Sequence, residues 1–599
     1  FSLSRSLSGM NTYLFGLLIP YLDSAMSANM SVLVKSPPSA GKTFGVYRIA
    51  AESDNRITHL IDRGNDEGYD MCKEFAKEVG LREGEYRILP SFFRDCPTPN
   101  GANGEWWTQK CEQLYNELGL TGSDIHVYGE KEPFQQQYLD GQSLPCGTNC
   151  PYKSAYDFNP DDYKVLIGHY SHSTLPKATS GRQVIFDEYP GSTFLLTPAD
   201  WDPAPKNSDF DRGITAQRNA ITEYLEYRSL GFGCIDDLKY SSDVPDELYQ
   251  FLGESGDKEF AIQTGFYRHT PDLVYALLAQ NDRGHSKLPD NRGVCAYDKK
   301  SEGIWTLTPP ALINAKSVIG LDGTPTRRMW EVALGERFRL EEVLTKAESQ
   351  EYLQHVLQNH FVELRTGAKP YHSIANINEQ IDHANIEDIA TAVDEDVYII
   401  TSTKAKAVYN SSDKVDIPEL AVLPENIHFG GLKSSNELGD AQIAFVIGSP
   451  GVRDRQIRSW CILADNGYQK PDRSGQYSGG MNLSYGDFGD KVLHHYREHE
   501  VLQAALRPGR TTDPSYIYVL TDALPKWVPR ADSVRRLNST TDGEIDVRDA
   551  LTYDWQTTKE IAESAGRSRG YVSRKLSELI DLGWIETQPQ GRSRVYRWG

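Results

Sequence analysis

Residues 31–43, SVLVKSPPSAGKT, constrain this chain more than any other stretch. The first five read as a short apolar strand, and the rest as a turn that ends in Gly41, Lys42 and Thr43. A strand running through such a turn into a helix points several backbone N–H groups at one spot, where a phosphate can rest on the helix N-terminus. The general pattern is G-x-x-x-x-G-K-[ST]. Ser36 stands at its first glycine, while Gly41, Lys42 and Thr43 keep the three chemical positions. Lys42 is expected on the β and γ phosphates of ATP, and Thr43 on Mg2+. A polar strand-to-helix turn is the bland alternative, and placement directly behind a buried strand favours the nucleotide site.

A second apolar strand, within RQVIFDEYPGS at 182–192, ends in Asp187 and Glu188. A carboxylate at a strand's carboxyl end can hold the water of a bound Mg2+, and its neighbour can polarise the attacking water. Alone, such a pair reads as a solvated strand end; with residues 36–43 it completes a P-loop ATPase site. SVIGLDGTPTRR at 317–328 is a third apolar strand. VYIITSTKAKAVY at 397–409, IAFVIGSP at 443–450 and SYIYVL at 515–520 form a second set. Strands alternating with helical stretches predict parallel sheets with covering helices, hence an α/β chain of two lobes. Between the last two strands stands QAALRPGR, with Gln503, Arg507 and Arg510 spaced to share a helix face. Two guanidiniums there can stabilise charge on a transferred phosphoryl group, an effect of about 10³ to 10⁵ in rate for arginine fingers. A basic, solvated helix end is the alternative.

In this order the motifs resemble those of superfamily 2 helicases: SPPSAGKT motif I, DEYP motif II, GLDGTPT motif III and QAALRPGR motif VI. Within that superfamily the chain is most similar to the iron–sulfur helicases of the XPD/DinG type. Those carry four cysteines ahead of motif II, a C-P-Y phrase at the last of them, and a helical arch between motifs II and III. Cys150-Pro151-Tyr152 matches the phrase, and VLIGHYSHS at 165–173 lies where the family has a histidine-containing strand. The resemblance implies two RecA-like P-loop lobes with Cys-rich and helical insertions in the first. It implies lobe 1 at 1–330, with a metal-binding insertion at 91–160 and an arch-like insertion at 191–315, then lobe 2 at 331–530. It also implies ATP-driven movement on single-stranded DNA with duplex unwinding, 5′ to 3′, by a monomeric motor. Pro190, Leu506 and Ser36 depart from the family's motifs, and Asn436 and Glu437 stand where motif V has an acidic-glycine phrase. These departures bear on coupling rather than on hydrolysis.

Four of the eight cysteines, Cys96, Cys111, Cys146 and Cys150, fall in this insertion, with 14, 34 and 3 residues between them. Four thiolates can hold a tetrahedral zinc or a 4Fe–4S cluster. Spacing does not choose between them; the resemblance implies the iron–sulfur cluster, with Zn2+ as the alternative. Trp106, Trp107, Tyr115 and FQQQY at 134–138 surround the cysteines. They suit stacking on single-strand bases and core packing equally.

From 557, TTKEIAESAGRSRGYVSRKLSELIDLGWIETQPQGRSRVYRWG has the rhythm of a winged helix-turn-helix. Val572, Leu576 and Leu579 fall at helical spacing, and WIETQ and SRVYRW suit the two wing strands. The domain is expected at 549–599 behind a polar linker at 531–548. Arg569, Arg574 and Lys575 on its second helix, with Arg592 and Arg594 on the wing, are candidate DNA contacts. Such a module also serves protein contacts, and an ATP-switched DNA-binding regulator is the rival to the helicase.

The net charge of −21 over 599 residues confines basic surface to local grooves and suits either an ordinary acidic protein or one from a halophilic prokaryote, its virus or its plasmid. Sparse cysteines outside the cluster suit a reducing cytoplasm. YLFGLLIPYL at 13–22 is interrupted by Pro20 and too short to cross a bilayer. Flanked by Arg5 and SAMSA it has the look of a leader, but the nearby phosphate loop favours a packed helix. A first residue of Phe1 is compatible with a missing upstream portion.

Overall fold

The computed structural model describes residues 11–27, 30–37, 40–62, 66–202, 209–227, 260–364, 367–371, 373–393, 396–411, 422–424, 427–431, 438–471, 480–510, 513–531, 541–581, 584–590 and 593–598. They form two compact units: Phe1–Ala347 with Arg453–Gly475 and Leu483–His495, and Glu348–Val452 with Gln476–Asn482 and Tyr496–Gly599.

In chain order the first unit holds strands β1 (Val32–Lys35), β2 (Ile57–Ile61), β3 (Tyr86–Ile88), β4 (Val165–His169) and β5 (Gln183–Asp187). There follow β6 (Leu195–Leu196), β7 (His285–Lys287), β8 (Val294–Asp298), β9 (Gly303–Leu307), β10 (Ser317–Asp322) and β11 (Arg339–Glu342). Seven of them make a sheet of order β11-β1-β10-β5-β2-β4-β3, parallel throughout. Every residue of β2 and β10 is buried, as expected for strands covered on both faces. Register pairs Lys35 with Asp322, Leu321 with Asp187 and Asp187 with Ile61, so the carboxyl ends of β1, β10, β5 and β2 share one edge. Open parallel sheets bind ligands at that edge. The helix Asn11–Ser27, with Pro20 inside it, packs on the helix Lys42–Glu52. The apolar run at 13–22 is thus part of a packed helix, and among the described residues no helix is long and apolar enough to cross a membrane.

Three expected boundaries change. The first sheet passes residue 330, because β11 pairs with β1 from Val32↔Arg339 to Lys35↔Glu342. The insertion after β5 is not only helical: β6, β9, β8 and β7 form an antiparallel sheet against the helices Phe210–Tyr227 and Thr270–Leu278. Its centre is a hairpin, where Val294, Tyr297, Ile304 and Trp305 favour strand and Glu302 takes a left-handed φ of 60° at the turn. Residues 228–259 of this insertion lie outside the described residues. The helix Asp454–Leu463, far along the chain, also belongs to this unit and packs on β8, with Arg458 paired to Asp298.

The second unit contains β12 (Asn359–Glu363), β13 (Tyr398–Ile400), β14 (Ile443–Ile447) and β15 (Ser515–Leu520). They form a parallel sheet of order β12-β15-β14-β13 around a core of Ile386, Ile399, Phe445 and Leu520. Two parallel lobes with insertions in the first are therefore present, as α/β alternation implied. The C-terminal domain adds a three-stranded antiparallel sheet of β16 (Gln556–Thr557), β17 (Ile585–Gln590) and β18 (Ser593–Trp598), in order β16-β18-β17. Its helices are Thr558–Ser564, started by a capping box of Thr557 and Glu560, and Arg569–Asp581.

The expected linker at 531–548 is helical at its end: Asp542–Ala550 is a helix whose Val547 and Ala550 join Ile561, Val572 and Leu576 in one core. Val547, Ala550 and Leu551 supply its packing despite the polar composition around them. Arg548 forks onto Asp388 at 2.9 and 2.8 Å, fastening this domain to the helix Glu379–Val393. Val547→Ala is expected to lower the stability of the C-terminal domain by about 2 kcal/mol, from lost burial and the cavity left behind. Native-state hydrogen exchange of the helix Arg569–Asp581 measures this, and a linker residue would change it by less than about 0.5 kcal/mol.

Candidate functional site

At the shared edge, β1 ends in Lys35 and the chain passes through Ser36 to Gly41, whose φ of 73° is left-handed and needs no side chain. Gly41 caps the helix Lys42–Glu52, so the N-terminus of that helix, the positive end of its dipole, faces the turn. Lys42 Nζ donates to the Ser36 carbonyl at 3.2 Å, which holds the ammonium over the loop. The Ser36 N–H donates to the Asp322 carbonyl at 3.1 Å and ties the loop to β10.

Thr43 Oγ1 donates to Asp187 Oδ2 at 2.6 Å. The same oxygen lies 3.4 Å from Nε2 of His59, a fully buried residue in the middle of β2. Tyr47 Oη lies 3.1 Å from His59 Nδ1, so a chain of polar atoms runs from Tyr47 through His59 to Asp187 and Thr43. Burial alone would raise the Asp187 carboxyl, but the hydrogen bond and charge of His59, with Thr43, hold it below the ordinary carboxylate range. Burial disfavours the imidazolium of His59, yet Asp187 and then Cys72 raise it to about 9, so it is charged at neutral pH. His59 carries no signal of its own in the sequence, because an isolated histidine in an apolar strand reads as an ordinary core residue.

Glu188 follows with a φ of 77°, a conformation that costs a non-glycine residue roughly 1–3 kcal/mol. It is secured by its N–H on the Leu321 carbonyl at 2.8 Å and by Tyr170 Oη on its carbonyl at 3.0 Å. Asp322 lies close by. Burial raises its carboxyl, although the Thr324 N–H at 2.8 Å and Trp330 Nε1 at 3.0 Å donate to it. The residues suit a magnesium nucleotide: backbone N–H groups, an ammonium, a hydroxyl and an ionised carboxylate converge at one helix start.

In the second unit, Gln503 lies on the helix Glu500–Ala505, but Arg507 and Arg510 do not share its face. The helix stops because Pro508 disfavours it and Gly509 turns back with a φ of 62°, where a Cβ would meet Ser515 Oγ at 1.9 Å. Arg507 is buried, and Arg510 Nε donates to the Leu506 carbonyl at 3.1 Å. Asn436 and Glu437 lie outside the described residues.

The cysteine insertion folds around Phe92, Trp107, Leu114, Tyr128, Phe134 and Tyr152. Three of its four cysteines meet: Cys96, Cys146 and Cys150 join His126 with their ligand atoms all within 4.8 Å of one another. Cys111 lies in the same apolar core, and burial first, then Cys146, pushes its thiol up to about 12. Cys146 is held down to about 3, first by the hydrogen bond with Cys96 and then, against its own burial, by His126. His126 went unremarked in the sequence; the available signal was that it is the one histidine between Cys96 and Cys150. Of the neighbouring aromatics, Trp107 and Phe134 are core, while Trp106 and Tyr115 are 40% and 48% exposed.

On the C-terminal domain, Arg569, Arg574 and Arg594 are exposed. Lys575 is not available as a DNA contact: it is buried, with Nζ on Glu544 at 2.9 Å and Glu578 at 2.6 Å. Its helix position points to the helix Asp542–Ala550 rather than outward, which residue spacing within 549–599 alone did not reveal. Arg592 lies outside the described residues.

No protein-family model matches the chain, and no curated protein matches it. Solved structures do. In fold, the chain is similar to XPD helicases. An XPD helicase structure matches 85% of this chain and 95% of its own at 13% identity and a TM-score of 0.41. S. tokodaii Xpd4 matches 85% and 95% at 10% identity and a TM-score of 0.38. The E. coli DExH-box NTPase HrpB matches 99% of this chain and 50% of its own at 8% identity and a TM-score of 0.29.

The pairing of half-buried Asp187 with fully buried His59 predicts a pH dependence. His59 has a pKa of about 9 when folded against 6.5 unfolded, so its contribution to stability is complete below about pH 6.5 and is lost as pH rises through 9. Asp187, lowered on folding, contributes above the ordinary carboxylate range and loses that contribution as pH falls through its folded value. In magnesium-free buffer the unfolding midpoint is expected to drop between pH 7 and 10, and His59→Gln to flatten that drop.

Proposed function

We propose that the chain is an ATP-driven DNA helicase or translocase, moving on single-stranded DNA and separating duplex, with 5′ to 3′ polarity. The observation that carries ATP hydrolysis is the Thr43–Asp187 contact of 2.6 Å directly behind the Gly41-Lys42 turn, at the ligand-binding edge of a parallel sheet. Backbone N–H groups of the turn and Lys42 bind the phosphates; Thr43 and Asp187 hold Mg2+. When bound, that ion neutralises charge on the β and γ phosphates. Glu188 orients the attacking water and takes its proton, as ATP and water become ADP and phosphate. Gln503, Arg507 and Arg510 sense and stabilise the charge developing on the γ-phosphoryl group.

DNA binding is supported by separate features. Arg569, Arg574 and Arg594 are exposed on the second helix and wing of the C-terminal domain, the elements that meet DNA in winged folds. Trp106 and Tyr115 offer exposed aromatic faces on the cysteine insertion, each worth about 1–3 kcal/mol when a base stacks on it. The cluster of Cys96, His126, Cys146 and Cys150 makes this insertion a metal-stapled module.

A strand-displacement assay tests the reading. The protein is expected to release a labelled strand from a duplex with a 5′ single-stranded tail, only with ATP and Mg2+, and Lys42→Ala to abolish release while leaving duplex binding intact. Binding of duplex without strand release by the unaltered protein would instead identify an ATP-switched regulator.

A further inference from the structure

The cysteine insertion carries a conclusion about its own metal. Nδ1 of the buried His126 lies 2.7 Å from the Gly122 carbonyl, which only accepts, so Nδ1 bears the proton and Nε2 presents its lone pair. That Nε2 stands 3.2 Å from Cys150 Sγ, 3.5 Å from Cys146 Sγ and 3.6 Å from Cys96 Sγ. Cys96 and Cys150 sulfurs are 3.5 Å apart. Bonds of about 2.3 Å to sulfur and about 2.0 Å to nitrogen put tetrahedral neighbours about 3.8 Å apart for two sulfurs and about 3.5 Å for sulfur and nitrogen. The observed set has the size of a shell around one ion. A four-iron cube binds each thiolate at a different corner, which holds the sulfurs much farther apart. The four-cysteine set implied by the family therefore does not fit this arrangement, in which His126 takes the place of Cys111.

We propose that the insertion binds a single zinc ion through Cys96, Cys146 and Cys150 thiolates and Nε2 of His126, with Cys111 outside the ligand set as a core residue. The inference rests on the reading of this insertion as a metal-stapled module and is independent of motor activity. Further contacts support the histidine. Its backbone carbonyl partner fixes the tautomer as metal-bound imidazoles require. The Tyr152 ring stacks on it at 5.5 Å and the Phe92 ring meets it edge-on at 5.6 Å. A capping box of Thr121 and Asp124 starts the helix Gly122–Gly129 that presents it. With no ligand position left for water, the site is structural: it joins the chain near residue 96 to that near residue 150, and binding releases whatever protons its thiols still carry.

The full chain, purified anaerobically from cells supplied with both iron and zinc, is analysed for metals, acid-labile sulfide and visible absorbance. About one zinc per chain, without sulfide or a visible charge-transfer band, is expected; stoichiometric iron and sulfide, or no metal, overturns the proposal. X-ray absorption at the zinc edge of the unaltered protein should give three sulfurs and one nitrogen, and four sulfurs overturn it. Cys111→Ser should keep its zinc. His126→Ala should weaken zinc in chelator competition by more than the tenfold to hundredfold that loss of an outer partner costs. His126→Cys, which restores a fourth thiolate, should regain it. Zinc kept by His126→Ala and lost by Cys111→Ser is the opposite outcome. None of these readouts uses ATP or DNA, so failure of strand displacement with zinc in place would count against the motor reading alone.

Discussion

The half-buried carboxylate of Asp187 is the contact on which the candidate nucleotide site depends. An ionised group removed from water is costly unless opposite charge and hydrogen bonds replace its hydration. Here His59 and Thr43 do so, one from the adjacent strand β2 and one from the helix that follows β1. The parallel register makes this possible, because it brings the ends of β1, β10, β5 and β2 to one edge without any long loop. The same arrangement leaves Glu188 one residue beyond the sheet, in a strained backbone held by Leu321 and Tyr170. Strain kept in place by a rigid surround is characteristic of functional positions.

What the sequence disclosed was whatever chemistry is contiguous. Gly41, Lys42 and Thr43 are adjacent, Asp187 and Glu188 end one apolar run, and each pattern carries its own physical reason. Residues contributed by distant segments were hidden. His59 is one polar residue in ITHLI, and His126 is separated from Cys146 by 19 residues, so neither has a periodic or local partner. Lys575 looked exposed because its partner Glu544 belongs to a helix that polar composition had assigned to a linker. The turn after Arg507 is legible in the sequence, since Pro508-Gly509 is a strong breaker and overrides the helical spacing of Gln503, Arg507 and Arg510.

The two sites divide the tasks of one lobe. Around the candidate nucleotide site, polar groups lie at the carboxyl edge of the sheet, where ligand exchange would need access. Around the cysteines, apolar rings close over Cys96, His126 and Cys150, leaving only Cys146 partly exposed. A metal held by this cluster would give a small insertion what its limited core does not supply. Exposed Trp106 and Tyr115 then sit on a fixed support, and aromatic faces on rigid elements stack at less entropic cost.

The proposed motor requires that nucleic acid and ATP hydrolysis be coupled in this chain. Steady-state ATP turnover, measured with and without unstructured single-stranded DNA, tests it most directly. The account predicts a Lys42-dependent turnover that rises several-fold on adding DNA. Turnover that ignores DNA, or that persists in Lys42→Ala, would contradict it.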